Sequence, residues 1–569
     1  MGYLKQIFIT GSASIFLVAC GSETASDKAV SGDAPEPETA ATTTSTIDPQ
    51  AQIIPAEDLA DHIQILASDE YLGRAPGTDG GDKTRAYLEA EYKRIGLEPI
   101  GDSYFQKVPM IEATLDPEQS AFNINGQTLE YKRDVVYWTK RVEEEVTVAD
   151  SELVFVGYGV VAPEYGWNDY EGIDVAGKTV VMLVNDPGFA TKNPDLFNGN
   201  AMTYYGRWTY KYEEAARQGA AAAIVIHDTE PAAYGWGVVE GSWSGPQLDL
   251  ERSDSGDGRV AVEGWFSKEA ATSILSGAGL DLAALMDAAK EPGFKPVAIE
   301  GAVLSATLTT KINRSEDANV IGVLPGTEAP DEYVLYMAHW DHLGLNPTES
   351  GDDKIFNGAV DNATGVAAIL EVAEAFATAA EKPKRSILIA AVTAEESGLL
   401  GSAYMAEDPP VPLENIVGGI NIDALLPAPS SNDVLVIGYG ASELEDLLRT
   451  ASQAYGRSLS PDAEPEKGYF YRSDHISLAK KGVPMLYADS GVDFREGGLA
   501  AGRAFSADYT EHRYHKPTDE FNEAWVLDGM TETVEILYHT GALMAYSDEW
   551  PNWYEGNEFK ALRDAQRAQ

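Results

Sequence analysis

His339, Asp341 and His342 stand within four positions of one another in "LYMAHWDHLG", where a long apolar run stops. Imidazoles and a carboxylate at the end of a buried strand cost free energy unless they pair with one another or hold an ion. Four further polar clusters occupy equivalent places downstream. Asp361 lies in "GAVDNATG" ahead of a helical stretch, Glu395 and Glu396 follow "ILIAAVTA", Asp423 ends "GGINID", and His515 stands in the late loop "HRYHKPTDEF". Two imidazoles and three or four carboxylates make a donor set for a borderline divalent metal such as zinc. Singly, each residue has an ordinary explanation as a helix cap, a turn former or a solvated charge. The adjacent Glu395 and Glu396 follow a buried strand directly, however, where two like charges need a counter-ion. The recurrence at successive strand ends carries the metal reading.

The segments that must position these groups are "NVIGVLPG", "YVLYMAHW", "RSILIAAV", "VGGINID", "DVLVIGYG" and "VPMLYA". They are continuously apolar and alternate with helical stretches at 359–380, 398–406 and 443–455. Such strands predict an α/β fold with a mostly parallel (mixed) central sheet flanked by helices. Ligand groups in such a sheet collect beyond the carboxyl ends of its strands. Upstream, "DLADHIQILAS" and "GDKTRAYLEAEYKRIGLEP" have helical apolar spacing, the second stopped by Gly96, with the turn-rich "SDEYLGRAPGTDGG" between them. From roughly Ser151 to Glu300 the texture changes to short β-branched runs such as "ELVFVGYGVV" and "KTVVMLVND", with turns and one helix, "YKYEEAARQGAAAAIVIHD". This predicts a smaller, β-rich domain. Its aromatic stretch "TYYGRWTYKY" either lines a cleft or fills a small core.

A chain of 569 residues exceeds what one hydrophobic core serves, so two folded domains plus extensions are expected. Forty-one basic against 91 acidic residues leave a formal charge of −50, which repels nucleic acid and excludes it as a partner. The single cysteine, Cys20, closes "MGYLKQIFITGSASIFLVAC". That segment is too short for a bilayer span and resembles a bacterial lipoprotein signal with "LVAC" as its lipobox. The resemblance implies cleavage before Cys20, lipidation of its thiol and anchoring in the bacterial cell envelope, on the periplasmic face or outer membrane. Residues 20–52 are rich in Ser, Thr, Ala, Pro and Glu and read as a disordered tether. Without a second thiol there is no intrachain disulfide, and stability falls to core packing, metal, or both.

In order along the chain, "HWDHLG", "GAVDNATGVAAILEVA", "TAEESGLLGS", "NID", "SDHISLAKKGVP" and "YHKPTDE" resemble the motifs of the co-catalytic zinc aminopeptidases of peptidase family M28. The early "LASDEYLGRAPGTDG" and "NVIGVLPG" are similar too, so the likeness runs from about Asp58 to Tyr546. The middle block resembles a protease-associated (PA) domain inserted into the catalytic one. The expected division is a signal peptide at 1–19, the tether at 20–52, a first peptidase part at 53–145, the PA-like insert at 146–305, and a second peptidase part with C-terminal tail at 306–569.

The resemblance implies two zinc ions per chain. Asp361 would bridge them, His339 and Asp423 would complete one site, and Glu396 and His515 the other. Asp341 matches the acid that fixes the His339 imidazole. Glu395, left without a metal, matches the general base, and Tyr514 the phenol that stabilises the oxyanion, unless it only packs beside His515. His342 and His475 also stand in motif stretches, His475 as a group that positions structure or substrate, and His512 is a rival to His515. The implied activity is removal of N-terminal residues from peptides. Alternatives are a carboxypeptidase or dipeptidase of the same family, for which Arg472, Arg495, Arg503 and Arg513 are candidate carboxylate holders, a one-zinc glutaminyl cyclase, and a non-catalytic receptor-like ectodomain. Ala424, Leu425 and Leu426 stand where relatives often carry Met, a departure that touches pocket shape. Nothing in the chain indicates an oligomeric state.

Overall fold

The structure, a computed structural model, describes residues 53–349 and 351–568. The expected signal segment, Cys20 and the tether lie outside the described residues. Within them, the continuous apolar runs become the centre of a sheet, because strands buried on both faces have no side on which to place polar groups. Strands Arg385–Val392, Ala329–His339, Ile416–Asn421 and Met485–Ser490 lie side by side and parallel, in that order. Every residue of Arg385–Val392 and of Ile416–Asn421 is buried. Asp433–Ile437 runs antiparallel to Met485–Ser490, and Val297–Leu324 runs antiparallel to Arg385–Val392, which makes the sheet mixed.

The side-chain period of two splits the core into two layers. Val334, Tyr336, Ile387 and Ile389 face one layer with Leu59 and Ile63 of helix Ala56–Leu66, Ile369 and Leu370 of helix Thr364–Thr378, and Val534 and Leu537 of helix Asp528–Ala545. Leu335, Met337, Leu388 and Ala390 face the other, with Met405 and Leu478. Burial of each such large apolar side chain contributes roughly 1.5–3 kcal/mol relative to exposure. Helix Asp79–Ile95 is capped by Thr78, whose hydroxyl accepts from the Gly81 amide at 3.3 Å, and stops at Gly96 with φ +92°.

A second sheet forms in the middle of the chain. Strands Glu145–Phe155, Thr179–Leu183, Ala222–Ile226 and Val262–Phe266 are parallel neighbours in that order. The sheet also takes in Ala121–Ile124, Gln127–Thr128 and Val135–Trp138, so it starts upstream of residue 146. The expected single helix "YKYEEAARQGAAAAIVIHD" is in fact helix Trp208–Arg217 followed by strand Ala222–Ile226. Gly219, at φ +78°, turns the chain, and the β-branched Ile-Val-Ile run then pairs rather than coils. In "TYYGRWTYKY", Tyr210 and Tyr212 are buried in the block's own cores, whereas Tyr204 also packs against Tyr471 and the second layer of the central sheet. There the Lys480 ammonium lies 4.6 Å from the Tyr204 ring centre and 2.7 Å from Glu213 Oε1.

The two sheets share one strand. Val297–Leu324 runs for 28 residues and pairs with Glu145–Phe155 in its first half, Phe105–Leu115 in its middle and Arg385–Val392 at its end. Among the described residues, no helix is long and apolar enough to cross a membrane.

Two buried histidines outside the ligand set make stability depend on acid. His475, fully buried between Phe470 and Tyr487, is lowered by burial to about 3, and His539 to about 4. The folded state keeps both neutral while the unfolded chain protonates near 6.5, so this stability is present above pH 6.5 and lost as pH falls toward those values. Between pH 6.5 and 5 the expected loss is up to about 2 kcal/mol per group. His539→Gln is therefore expected to flatten the fall in urea midpoint between pH 7 and 5, and an unchanged slope would rule His539 out as a source.

Candidate metal centre

The parallel strands end at one edge, and the polar clusters gather there. His339 is the last residue of Ala329–His339; Glu395 and Glu396 follow Arg385–Val392; Asp423 follows Ile416–Asn421. Asp361 sits in the turn before helix Thr364–Thr378, and Gly358 at φ +57° lets that turn close in. A Cβ on Gly358 would lie 2.2 Å from the Asp361 carbonyl oxygen and 2.5 Å from the His342 ring. His515 itself takes a left-handed φ of +56°, after helix Gly498–His512.

Asp361 turns its two oxygens toward two different imidazoles. His339 Nε2 lies 3.3 Å from Asp361 Oδ1 and 3.1 Å from Asp423 Oδ1. His515 Nε2 lies 3.2 Å from Asp361 Oδ2 and 3.1 Å from Glu396 Oε2. The five residues expected as ligands, His339, Asp361, Glu396, Asp423 and His515, thus converge. His342 joins them, with Nδ1 at 2.6 Å from Glu396 Oε1. Among the described residues, His339–Asp361–Asp423 and His342–Asp361–Glu396 each present donor atoms within 4.8 Å of one another.

Asp341 is fully buried, but its carboxylate is 3.9 Å from His339 Nδ1; that nitrogen faces the Asp341 main-chain carbonyl at 3.1 Å. The carboxylate instead accepts from the Glu395 amide at 3.1 Å. The Tyr514 ring stacks on His515 at 3.9 Å. His512 is exposed and pairs with Asp508 on its own helix, away from the cluster. Arg495 and Arg513 are committed to Glu532 and Asp508, and Arg472 lies over Tyr469.

The electrostatics describe a centre short of positive charge. Burial opposes ionisation of His339 and His515, yet Asp423 and Glu395 raise His339 well above the usual imidazole value, and hydrogen bonds to Asp361 and Glu396 bring His515 to about 10. Burial pushes Asp361 and Glu396 up, but their imidazole partners hold Asp361 well below the carboxylate range and Glu396 at about 2. Burial raises Asp341 to about 8 against the pull of His339. Burial, then Asp423 and Glu396, raise Glu395 well above its ordinary value, against the pull of His339. The carboxylates thus drive imidazoles into their charged form. A divalent cation supplies that charge through the same donors and leaves the imidazoles as neutral ligands, so the residues present fit such an ion.

Three groups around the cluster stand outside the expected set. The Ser473 hydroxyl donates to Asp423 Oδ2, Asp519 accepts from the Asp361 amide at 3.1 Å, and Arg74 is buried beneath the loops. The signal for each was present in "SDH", "KPTDE" and "YLGR", stretches that resemble family motifs but whose contacts are long-range.

Residues 319–539 match the profile of Peptidase family M28. A probable zinc metalloprotease of Pyrenophora teres f. teres is 40% identical over 104 residues, 18% of this chain and 22% of that protein. The mouse aminopeptidase NAALADL1 is 32% identical over 139 residues, 23% of this chain and 17% of that protein. The chain thus spans about a fifth of the length of these curated relatives. A solved aminopeptidase from Aneurinibacillus sp. strain AM-1 aligns over 87% of this chain and 95% of its own, at 19% identity and a TM-score of 0.46. The converging imidazoles and carboxylates all lie within residues 319–539, the stretch that is similar to peptidase family M28.

Proposed function

We propose that the protein is a two-zinc aminopeptidase. The observation that carries this reading is Asp361, one carboxylate whose two oxygens address His339 and His515 separately. Zinc held by His339, Asp361 and Asp423, and again by Asp361, Glu396 and His515, supplies Lewis acidity toward a peptide carbonyl and toward water.

The protein's own groups do the rest. Glu395 accepts a proton from water on a carboxylate oxygen and delivers it to the leaving amine nitrogen. Burial beside Asp423 and Glu396 raises its proton affinity, which suits a base. Asp341 anchors the Glu395 amide with its carboxylate and His339 Nδ1 with its carbonyl, so proton carrier and imidazole share one support. Tyr514, stacked on His515, turns its phenol to the developing oxyanion. The acidic surroundings suit a substrate ammonium. Lipidated Cys20 places the enzyme on the bacterial envelope.

The purified protein is expected to release p-nitroaniline from alanyl and leucyl anilides but not from their N-acetyl derivatives, with about two zinc ions per chain by atomic absorption. Turnover confined to N-blocked peptides with a free carboxylate would make it a carboxypeptidase. One zinc with cyclisation of N-terminal Gln would make it a glutaminyl cyclase, and absence of turnover would support a receptor-like role.

A further inference from the structure

The segment Asn357–Asp361, which delivers Asp361, is fastened by two buried charges from opposite ends of the chain. Arg74 is 1% exposed. Its Nη1 donates to Asn357 O at 2.6 Å and Leu66 O at 2.8 Å, its Nη2 to Gly358 O at 2.7 Å, and its Nε to Trp340 O at 2.9 Å. One guanidinium therefore ties the loop of His339 and His342 to the loop of Asp361. Asp519, fully buried, works from the other side. Its carboxylate accepts from Val360 N and Asp361 N at 3.1 Å each and from the Tyr509 hydroxyl at 3.4 Å, while its carbonyl accepts from Ala359 N at 3.0 Å. From 357 to 361, every residue's main chain is bonded to one of these two residues.

The backbone is bent to make this possible. Leu72, Gly73 and Arg74 all take left-handed φ angles of +48°, +67° and +53°. A Cβ on Gly73 would come within 2.4 Å of Phe356 O. Unfavourable φ values at consecutive residues persist only where the surroundings over-determine them. Among the described residues Arg74 forms no ion pair within 4.0 Å and its bonds all go to carbonyls; burial opposes its charge and lowers it to about 10, while Asp519, Asp361, Asp341 and Glu396 favour it. A neutral donor would serve a purely mechanical brace. A buried cation without a contact partner is favoured only in a field of negative charge.

We propose that Arg74 and Asp519 are positioning residues of the metal centre, a pair that sets the direction of the Asp361 oxygens and the spacing of the His339 and Asp361 loops. This rests on reading Asp361 as a metal ligand. Partners behind metal ligands typically govern affinity by about 10–100-fold.

The test compares full-length Arg74→Lys, Asp519→Asn and, as a control, Arg385→Lys. Arg385 is also buried and bonded to main-chain carbonyls, of Met544 and Glu549, away from the metal loops. Zinc affinity is measured by competition with a chromogenic chelator, the ligand field by the visible spectrum of the cobalt(II)-loaded protein, and melting on the metal-free chain. The first two variants are expected to weaken zinc about 10–100-fold and to shift the cobalt bands, while Arg385→Lys lowers melting alone. Affinity within twofold of the parent in both variants, or an equal loss in Arg385→Lys, overturns the proposal. Should Arg74→Lys fail to fold, Asp519→Asn decides it. If Asp361→Ala leaves zinc binding intact, the functional reading fails instead; if it abolishes binding while Arg74→Lys and Asp519→Asn do not, only this inference does.

Discussion

Exchange of Glu395 for Gln is expected to lower kcat by about 10²–10⁴-fold, or about 3–5 kcal/mol of barrier, at unchanged zinc content. The amide side chain has the shape of the acid but cannot take up a proton. The main-chain amide of residue 395 remains bonded to Asp341 Oδ1, so the loop keeps its path. Among the described residues, the close imidazole contacts run through Asp361, Glu396 and Asp423, not through the Glu395 carboxylate. Burial, Asp423 and Glu396 disfavour its charge while His339 favours it, so the metal-free variant is expected to melt close to the parent. Anilide kinetics, atomic absorption and calorimetry on one preparation check all three statements. A kcat within a few-fold of the parent would take Glu395 out of the proton transfer.

The second large effect is expected from Asp361→Ala. It removes both oxygens that face His339 and His515 and leaves the remaining donors in two separated groups. Zinc content is expected to fall by at least one ion per chain. An ion present at a thousandfold excess over its Kd stabilises a folded protein by about 4 kcal/mol, so the variant forfeits stability of that order for each ion lost. The parent's melting temperature should drop on chelation, and the variant's should barely respond. An unchanged zinc count together with an unchanged chelator response would mean that Asp361 does not bridge.

The central sheet was legible because its strands are buried on both faces, and a continuous apolar run such as "RSILIAAV" has no competing reading of that length. His339, Glu396 and Asp423 were legible for the same reason, since each follows the end of such a run. His515 was expected at a strand end with the others, but it follows helix Gly498–His512 instead, and its assignment over His512 came from the motif "YHKPTDE". The 2.6 Å approach of His342 to Glu396 joins loops 54 positions apart, and no local spacing encodes it. Arg74 was harder still. "EYLGRAPG" reads as turn residues, and the partners that give the guanidinium its purpose lie 266 to 284 positions away. In the middle block, the alanine run before Ile224 hid a helix-to-strand change, because alanine favours the helix while Gly219 and the pairing that follows override it. Asp341 was legible as a support for His339, but which of its oxygens does what depends on backbone path and not on residue type.

The strand Val297–Leu324 binds both sheets without a break, and successive neighbours hold it along almost its whole length. One continuous backbone therefore carries the pairing register of both sheets, so a residue inserted or deleted within it would turn the side chains of one sheet to the opposite face relative to the other.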